Sequence, residues 1–183
     1  VIEPNVVVNR DQRAWINFPA NMTLDVSSGF YAFGTVSGWC GNNSTEGNVG
    51  VYVGGSENFR AYTQNIGFVL GNTGVFILDG QNLRTAQNSA ALQFNIEPSV
   101  THMYRYAFYV DDAGLMTYYI VDLNTGQVST GAQQCNLSSL GSNPKLYVSY
   151  DRYGNSTAAI AVAETHLIVN SVGDAEGRWN WRN

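Results

Sequence analysis

The segment Met103–Thr130, MYRYAFYVDDAGLMTYYIVDLNTGQVST, constrains the fold more than any other part of the chain. Aromatic and β-branched residues fill it, and turn residues interrupt it at Asp111–Gly114 and at Asn124–Gly126, the pattern of two successive β-hairpins. With Asp111–Gly114 as the whole first loop, Val110 is expected to face Leu115, Phe108 Thr117, Tyr106 Tyr119 and Tyr104 Val121, on a face directed into a core. The reverse face then carries Met103, Arg105, Ala107 and Tyr109 against Asp122, Ile120, Tyr118 and Met116, with Arg105 and Asp122 as a cross-strand ion pair. That face is either a second packed layer or an open ligand surface. Because neighbouring strands are apolar on both sides, the face is expected to be largely covered, the hairpin serving as scaffold for recognition loops.

The rest of the chain repeats the pattern. Val6–Val8, Ala14–Phe18, Met22–Val26, Phe30–Ser37, Asn48–Val53, Asn58–Gln64, Ile66–Leu70, Gly74–Asp79, Ala90–Glu97, Lys145–Tyr150 and Thr157–Asn170 read as strands. Phe30–Ser37 has no polar face and is expected to be central, with Gly34 marking a bend or bulge. Gln81–Ser89 reads as a loop or short helix, and Gly131–Pro144 as a long loop. No segment keeps a helical period over three turns. The expected fold is all-β, an antiparallel β-sandwich or jelly roll with little or no helix. Residues 1–183 are expected to form a single β domain, a mature form or excised domain, with 171–183 a polar C-terminal tail.

Charge narrows the functional classes. Charged residues are 13% of the chain, the net charge is −5, and Lys145 is the single lysine. No basic run offers the electrostatic footprint of nucleic-acid binding, and no apolar run is long enough for membrane insertion. Asn, Ser, Thr, Gln and Gly supply the polarity instead, as in secreted and capsid-like proteins. Cys40 and Cys135 are either two thiols or the ends of one long disulfide loop. Sequons stand at Asn21, Asn42, Asn43, Asn136 and Asn155.

Catalytic patterns are missing. The chain has no G-x-S-x-G, P-loop, G-x-G-x-x-G after a strand, or H-E-x-x-H. An alternative reading, a small β-sandwich glycoside hydrolase or lyase, would need two carboxylates across a cleft from among Glu97, Asp122 and Glu164. Sugar binding without catalysis needs only aromatic platforms and fixed hydrogen-bonding side chains. The candidate groupings are Trp39 with Asn42 and Asn43, then Asn58 with Arg60 and Tyr62, then Arg152, Tyr153 and Asn155, together with Arg105 and Tyr118 on the reverse sheet face. Asp111-Asp112-Ala113-Gly114 lacks the alternating ligands of a calcium loop and reads as a plain turn, so no metal and no cofactor is expected.

In layout, Tyr104–Val110, turn, Leu115–Asp122, turn, Lys145–Tyr150 and the last long strand Thr157–Asn170 resemble the galectin-like and concanavalin-like sandwiches over roughly residues 90–170. The histidine–asparagine–arginine and tryptophan–glutamate–arginine strands of the galectin signature are absent, so no binding residue is carried over. In composition the chain also resembles receptor-binding heads of viral spikes of the rotavirus and astrovirus type. These resemblances imply a non-enzymatic head domain on an extracellular or virion surface. Its partner would be a host glycan or cell-surface glycoprotein, and a homo-oligomer would raise its avidity.

Overall fold

The computed structural model describes residues 13–18, 24–39, 48–58, 60–71, 74–85, 101–151 and 162–169. The expected strands Val6–Val8 and Ala90–Glu97 and the 171–183 tail lie outside these residues.

The described residues form two antiparallel sheets packed face to face, a β-sandwich. One is six-stranded, in the order β1 (Arg13–Phe18), β10 (Lys145–Asp151), β3 (Asn48–Gly54), β4 (Asn65–Gly71), β5 (Gly74–Asp79) and β6 (Leu83–Thr85). The other is five-stranded, in the order β11 (Val162–Val169), β2 (Phe30–Trp39), β7 (Thr101–Val110), β8 (Leu115–Asp122) and β9 (Val128–Gln134). The core lies between them. Val49, Val51, Val53, Ile66 and Phe68 descend from one sheet onto Phe30, Ala32, Tyr104, Tyr106 and Phe108 of the other. Phe68 packs at 5.3 Å from Tyr106 and edge-on to Phe108 at 6.2 Å, so truncating it would cost about 3–5 kcal/mol.

Strand β2 lies between β11 and β7, and both Phe30 and Tyr31 are buried on opposite faces, as its two-sided apolar pattern requires. Its Gly34 is not the irregular point. Gly34 pairs regularly with Tyr106 and Thr165, and the register shift falls on β11 between Val162 and Glu164.

Several expectations are corrected. Residues 24–26 are not a strand but lead into a turn at Ser27–Ser28. Residues 58 and 60–64 are not a strand but lead into a 3-10 turn, Tyr62–Gln64, and β3, which ends at Gly54, pairs instead with β4, starting at Asn65. Residues 83–85 are the edge strand β6, and the 131–144 region begins as strand β9 and continues as the 3-10 turn Leu137–Leu140.

The largest correction concerns the opening hairpin. Val110 pairs with Met116, Phe108 with Tyr118, Tyr106 with Ile120 and Tyr104 with Asp122, one residue away from the expected register. Leu115 starts β8 and pairs with Gln134 of β9 but opposes no residue of β7. Its N–H donates to Asp111 Oδ1 at 2.8 Å, and its carbonyl accepts from Asp111 N–H at 3.1 Å. A one-residue slip exchanges the faces of β8. Met116, Tyr118, Ile120 and Asp122 therefore point inward, and Thr117, Tyr119 and Val121 share the outer face with Arg105, Ala107 and Tyr109.

Candidate functional site

Three segments meet at the end of the sandwich where β7 turns into β8. The first precedes β2. Asp25 Oδ1 accepts from Ser27 N–H at 3.1 Å and from Ser27 Oγ at 2.6 Å, and Gly29 N–H closes the turn on Val26 O at 3.1 Å. Gly29 has φ 93°, and a Cβ there would stand 2.5 Å from Val110 O, so only glycine lets this turn lie against the end of β7. The second segment is the Asp111–Leu115 turn. The third is tied to it by Cys135 N–H donating to Gly114 O at 2.8 Å, and to the other sheet by Asn136 N–H donating to Asp79 O at 2.8 Å. Asp79, fully buried, accepts from Gln81 and Asn82 N–H at 2.8 and 2.7 Å, which fixes that anchor.

Between these segments lies a cavity of about 510 Å³. One wall is Leu24, Asp25, Val26 and Ser27, with Asp112 at the hairpin tip. The facing wall is Leu137, Ser138, Gly141 and Ser142. Apolar side chains thus line it beside carboxylates and hydroxyls, and the polar ones are solvent-exposed at its mouth. The volume falls in the range of small-molecule sites. The hydrogen bonds from Ser27, first the hydroxyl and then the backbone N–H, hold the Asp25 carboxyl below the usual carboxylate range. Behind the tip, burial first and then Asp111 and Asp112 push the Tyr109 phenol up. Cys135 is a free thiol, pushed up to about 12 chiefly by burial and further by Asp79.

Of the residues singled out from sequence, the described ones, Asn58, Arg60, Tyr62, Arg105 and Tyr118, do not line this cavity. Asn58, Arg60 and Tyr62 belong to the connection between β3 and β4, over the outer face of the six-stranded sheet, where Tyr62 packs against the cluster of Tyr52, Val69, Leu78 and Tyr147. Asn58 maintains that loop, its Oδ1 accepting from Arg60 N–H at 3.1 Å and its carbonyl from Asn65 Nδ2 at 3.0 Å. This connection approaches the cavity-forming segment where Gly55 nears Leu140 O, but none of the three lines the cavity. Arg105 sits half-buried on the outer face of the five-stranded sheet, between Thr35 and Val121. Tyr118, expected beside it, is 3% exposed in the core, because the register places it inward. Trp39 ends β2, its backbone opposite Thr101. Its side chain and residues Asn42, Asn43, Arg152, Tyr153 and Asn155 lie outside the description, as do Cys40 and the side chain of Glu164.

Asp122 is also corrected. It opposes Tyr104, not Met103, lies on the face opposite Arg105, and is fully buried. Its Oδ1 accepts from Asn124 and Thr125 N–H at 2.8 and 3.1 Å, and its Oδ2 lies 2.6 Å from His102 Nδ1. This is a turn lock, not an acid facing a cleft. Among the described residues no group of three or more His, Cys, Asp or Glu is arranged to hold a metal ion.

Sequence reasoning missed Asp25, Ser27, Ser138 and Ser142, and took Asp112 for a plain turn residue. The only signal was turn chemistry, which marks a loop without saying which loops meet.

No family model matches the chain, and no curated protein does. Solved structures do. The chain is similar to a seed lectin of Lotus tetragonolobus (TM-score 0.59, 12% identity, covering 91% of this chain and 85% of that one). It is similar to peanut lectin crystallised with a nine-residue peptide (0.58, 9%, 92% and 86%) and to the carbohydrate recognition domain of Emp47p (0.53, 12%, 89% and 81%). At such identities the likeness shows the fold alone, an all-β sandwich like that of these lectins.

Proposed function

We propose that this chain is a non-enzymatic carbohydrate-binding domain whose ligand seats in the cavity between the 24–27 turn, the Asp112 tip and the 137–142 segment. The observation that carries the reading is the cavity's lining. A sugar presents hydroxyls along its edge and C–H groups on its faces. Here Asp25, Asp112, Ser27, Ser138 and Ser142 stand beside Leu24, Val26 and Leu137. The names of the similar structures, lectins and a carbohydrate recognition domain, support the same reading. Residues 1–183 act as one β domain in this proposal.

Its setting is the surface of a larger assembly, as the receptor-binding head of an attachment protein of the viral-spike kind, outside the cell or on a virion. The partner is a host glycan or glycoprotein, and weak single sites gain strength through homo-oligomeric display. A low-charge composition rich in Asn, Ser, Thr and Gly, with one lysine, supports this setting.

The test is a glycan array followed by titration of the labelled chain by NMR. Saturable binding should shift the amides of Ser27, Asp112, Ser138 and Ser142. Tight binding to a protein receptor with no response to any glycan would sink the carbohydrate reading.

A further inference from the structure

The direction of the hydrogen bonds around the cavity restricts the ligand beyond "a sugar". Ser27 Oγ donates its proton to Asp25 Oδ1 at 2.6 Å, and Ser138 Oγ donates its proton to Asn136 Oδ1 at 2.6 Å. Each hydroxyl has one proton, so both offer an incoming ligand lone pairs. Asp25 keeps Oδ2 as an acceptor after binding Ser27 through Oδ1. In the neighbouring turn Asp111, not Asp112, caps Leu115, which leaves the exposed Asp112 carboxylate directed to solvent at the cavity. Among the described lining residues there is no Lys, Arg or His, and the chain carries a net charge of −5. The described lining is therefore rich in acceptors and negative in sign.

Resting on the carbohydrate reading above, we propose that this cavity selects by charge. It prefers sugars bearing a free ammonium group to their neutral parents, and rejects sugars bearing a carboxylate, sulfate or phosphate. A hydroxyl can donate to these acceptors, and an ammonium group donates while cancelling charge. An anionic substituent finds no cation and meets two carboxylates. With two such charges at the edge of a solvent-filled site, each step in the series should be about tenfold in affinity at low salt. The steps should shrink as salt screens them.

The experiment titrates the intact chain by NMR with matched methyl glycosides of the glucose and galactose series. Each series contains the neutral sugar, the 2-amino-2-deoxy sugar and the uronate. The expected order is amine, then neutral, then uronate, narrowing at about 0.5 M salt. Asp112→Asn and Asp25→Asn should each narrow it as well. Asn at position 25 keeps an acceptor for Ser27, so the turn survives the change. A uronate that binds as well as its neutral parent, or an order unmoved by both variants, overturns the charge selection and leaves the carbohydrate reading standing. Absence of any response at the cavity from all six sugars and from the glycan array overturns both.

Discussion

Strand β8 is bounded by two aspartate-led turns that use the same chemistry to opposite ends. At Asp122 the carboxylate is fully buried, accepts two backbone N–H groups and meets His102. At Asp111–Leu115 the capping carboxylate of Asp111 satisfies one N–H, and its neighbour Asp112 is left exposed at the cavity. One turn is closed by its acid and contributes to stability. The other is closed without Asp112, which is thereby available to a ligand. Two adjacent identical residues in a turn thus have different roles, because only one of them points back at the backbone.

The sharpest way to break this comparison is to remove each acid. Asp122→Ala leaves the buried His102 ring without its carboxylate partner and removes the acceptor of the Asn124 and Thr125 N–H groups, and should lower the free energy of unfolding by about 3 kcal/mol. Urea denaturation measures it, and a midpoint equal to that of the parent would show the two turns to be equivalent. The glycines come next. Gly114 and Gly126 both have positive φ, 83° and 76°. A Cβ at Gly126 meets nothing within 4 Å, whereas one at Gly114 would stand 2.6 Å from Cys135 O. Gly126→Ala should cost about 1 kcal/mol from backbone strain alone. Gly114→Ala should cost about 2–4 kcal/mol, since overpacking adds to the strain. Equal losses would mean that the 135–142 segment does not lean on the tip.

Cys135 gives a pH test of the same contact. Its thiol is neutral in the folded chain up to about 12, while the unfolded thiol ionises near about 8.5. The folded state therefore holds the extra proton, and this contribution is complete below about 8.5 and lost as pH rises towards about 12. Tyr109 and Tyr147, also raised by burial, add to the alkaline loss with the same sign. Denaturation across this range should show the parent losing stability faster than Cys135→Ala, and parallel curves would refute the buried thiol. The smallest stability effect belongs to Asp112→Asn, within about 0.5 kcal/mol of the parent. The same change should move ligand affinity several-fold. A large loss of stability there would make Asp112 a second lock.

Much of the fold was legible. The alternation of aromatic and polar residues in Thr101–Val110 placed Tyr104, Tyr106, Phe108 and Val110 in the core, where they are. The apolar faces of Phe30–Trp39 marked a central strand. What failed was register and loop length. Taking Asp111–Gly114 as the whole loop set Leu115 opposite Val110 and inverted every side chain of β8, so Tyr118 and Asp122 were expected on the outer face and Tyr119 on the core face. The candidate site was hardly legible at all. Asn58, Arg60 and Tyr62 have suitable chemistry for a sugar, yet they secure a loop over the far sheet.

By itself the sequence determined the class of fold, because a side chain's environment in a strand repeats every two residues and the pattern is local. It also determined where the chain turns, because Gly, Asn and Asp mark turns through their own backbone preferences. The tertiary structure alone decided the faces of β8, through the register that pairs Val110 with Met116 and buries Met116, Tyr118 and Ile120 in the core. It alone decided which loops share a cavity. Residues 24–27, 112 and 137–142 are distant in sequence and meet only because β2 pairs with β7 and because Cys135 and Asn136 are tied to Gly114 and Asp79. Such non-local hydrogen bonds leave no periodic trace in the chain, so a site built on them appears only once the sheets have packed.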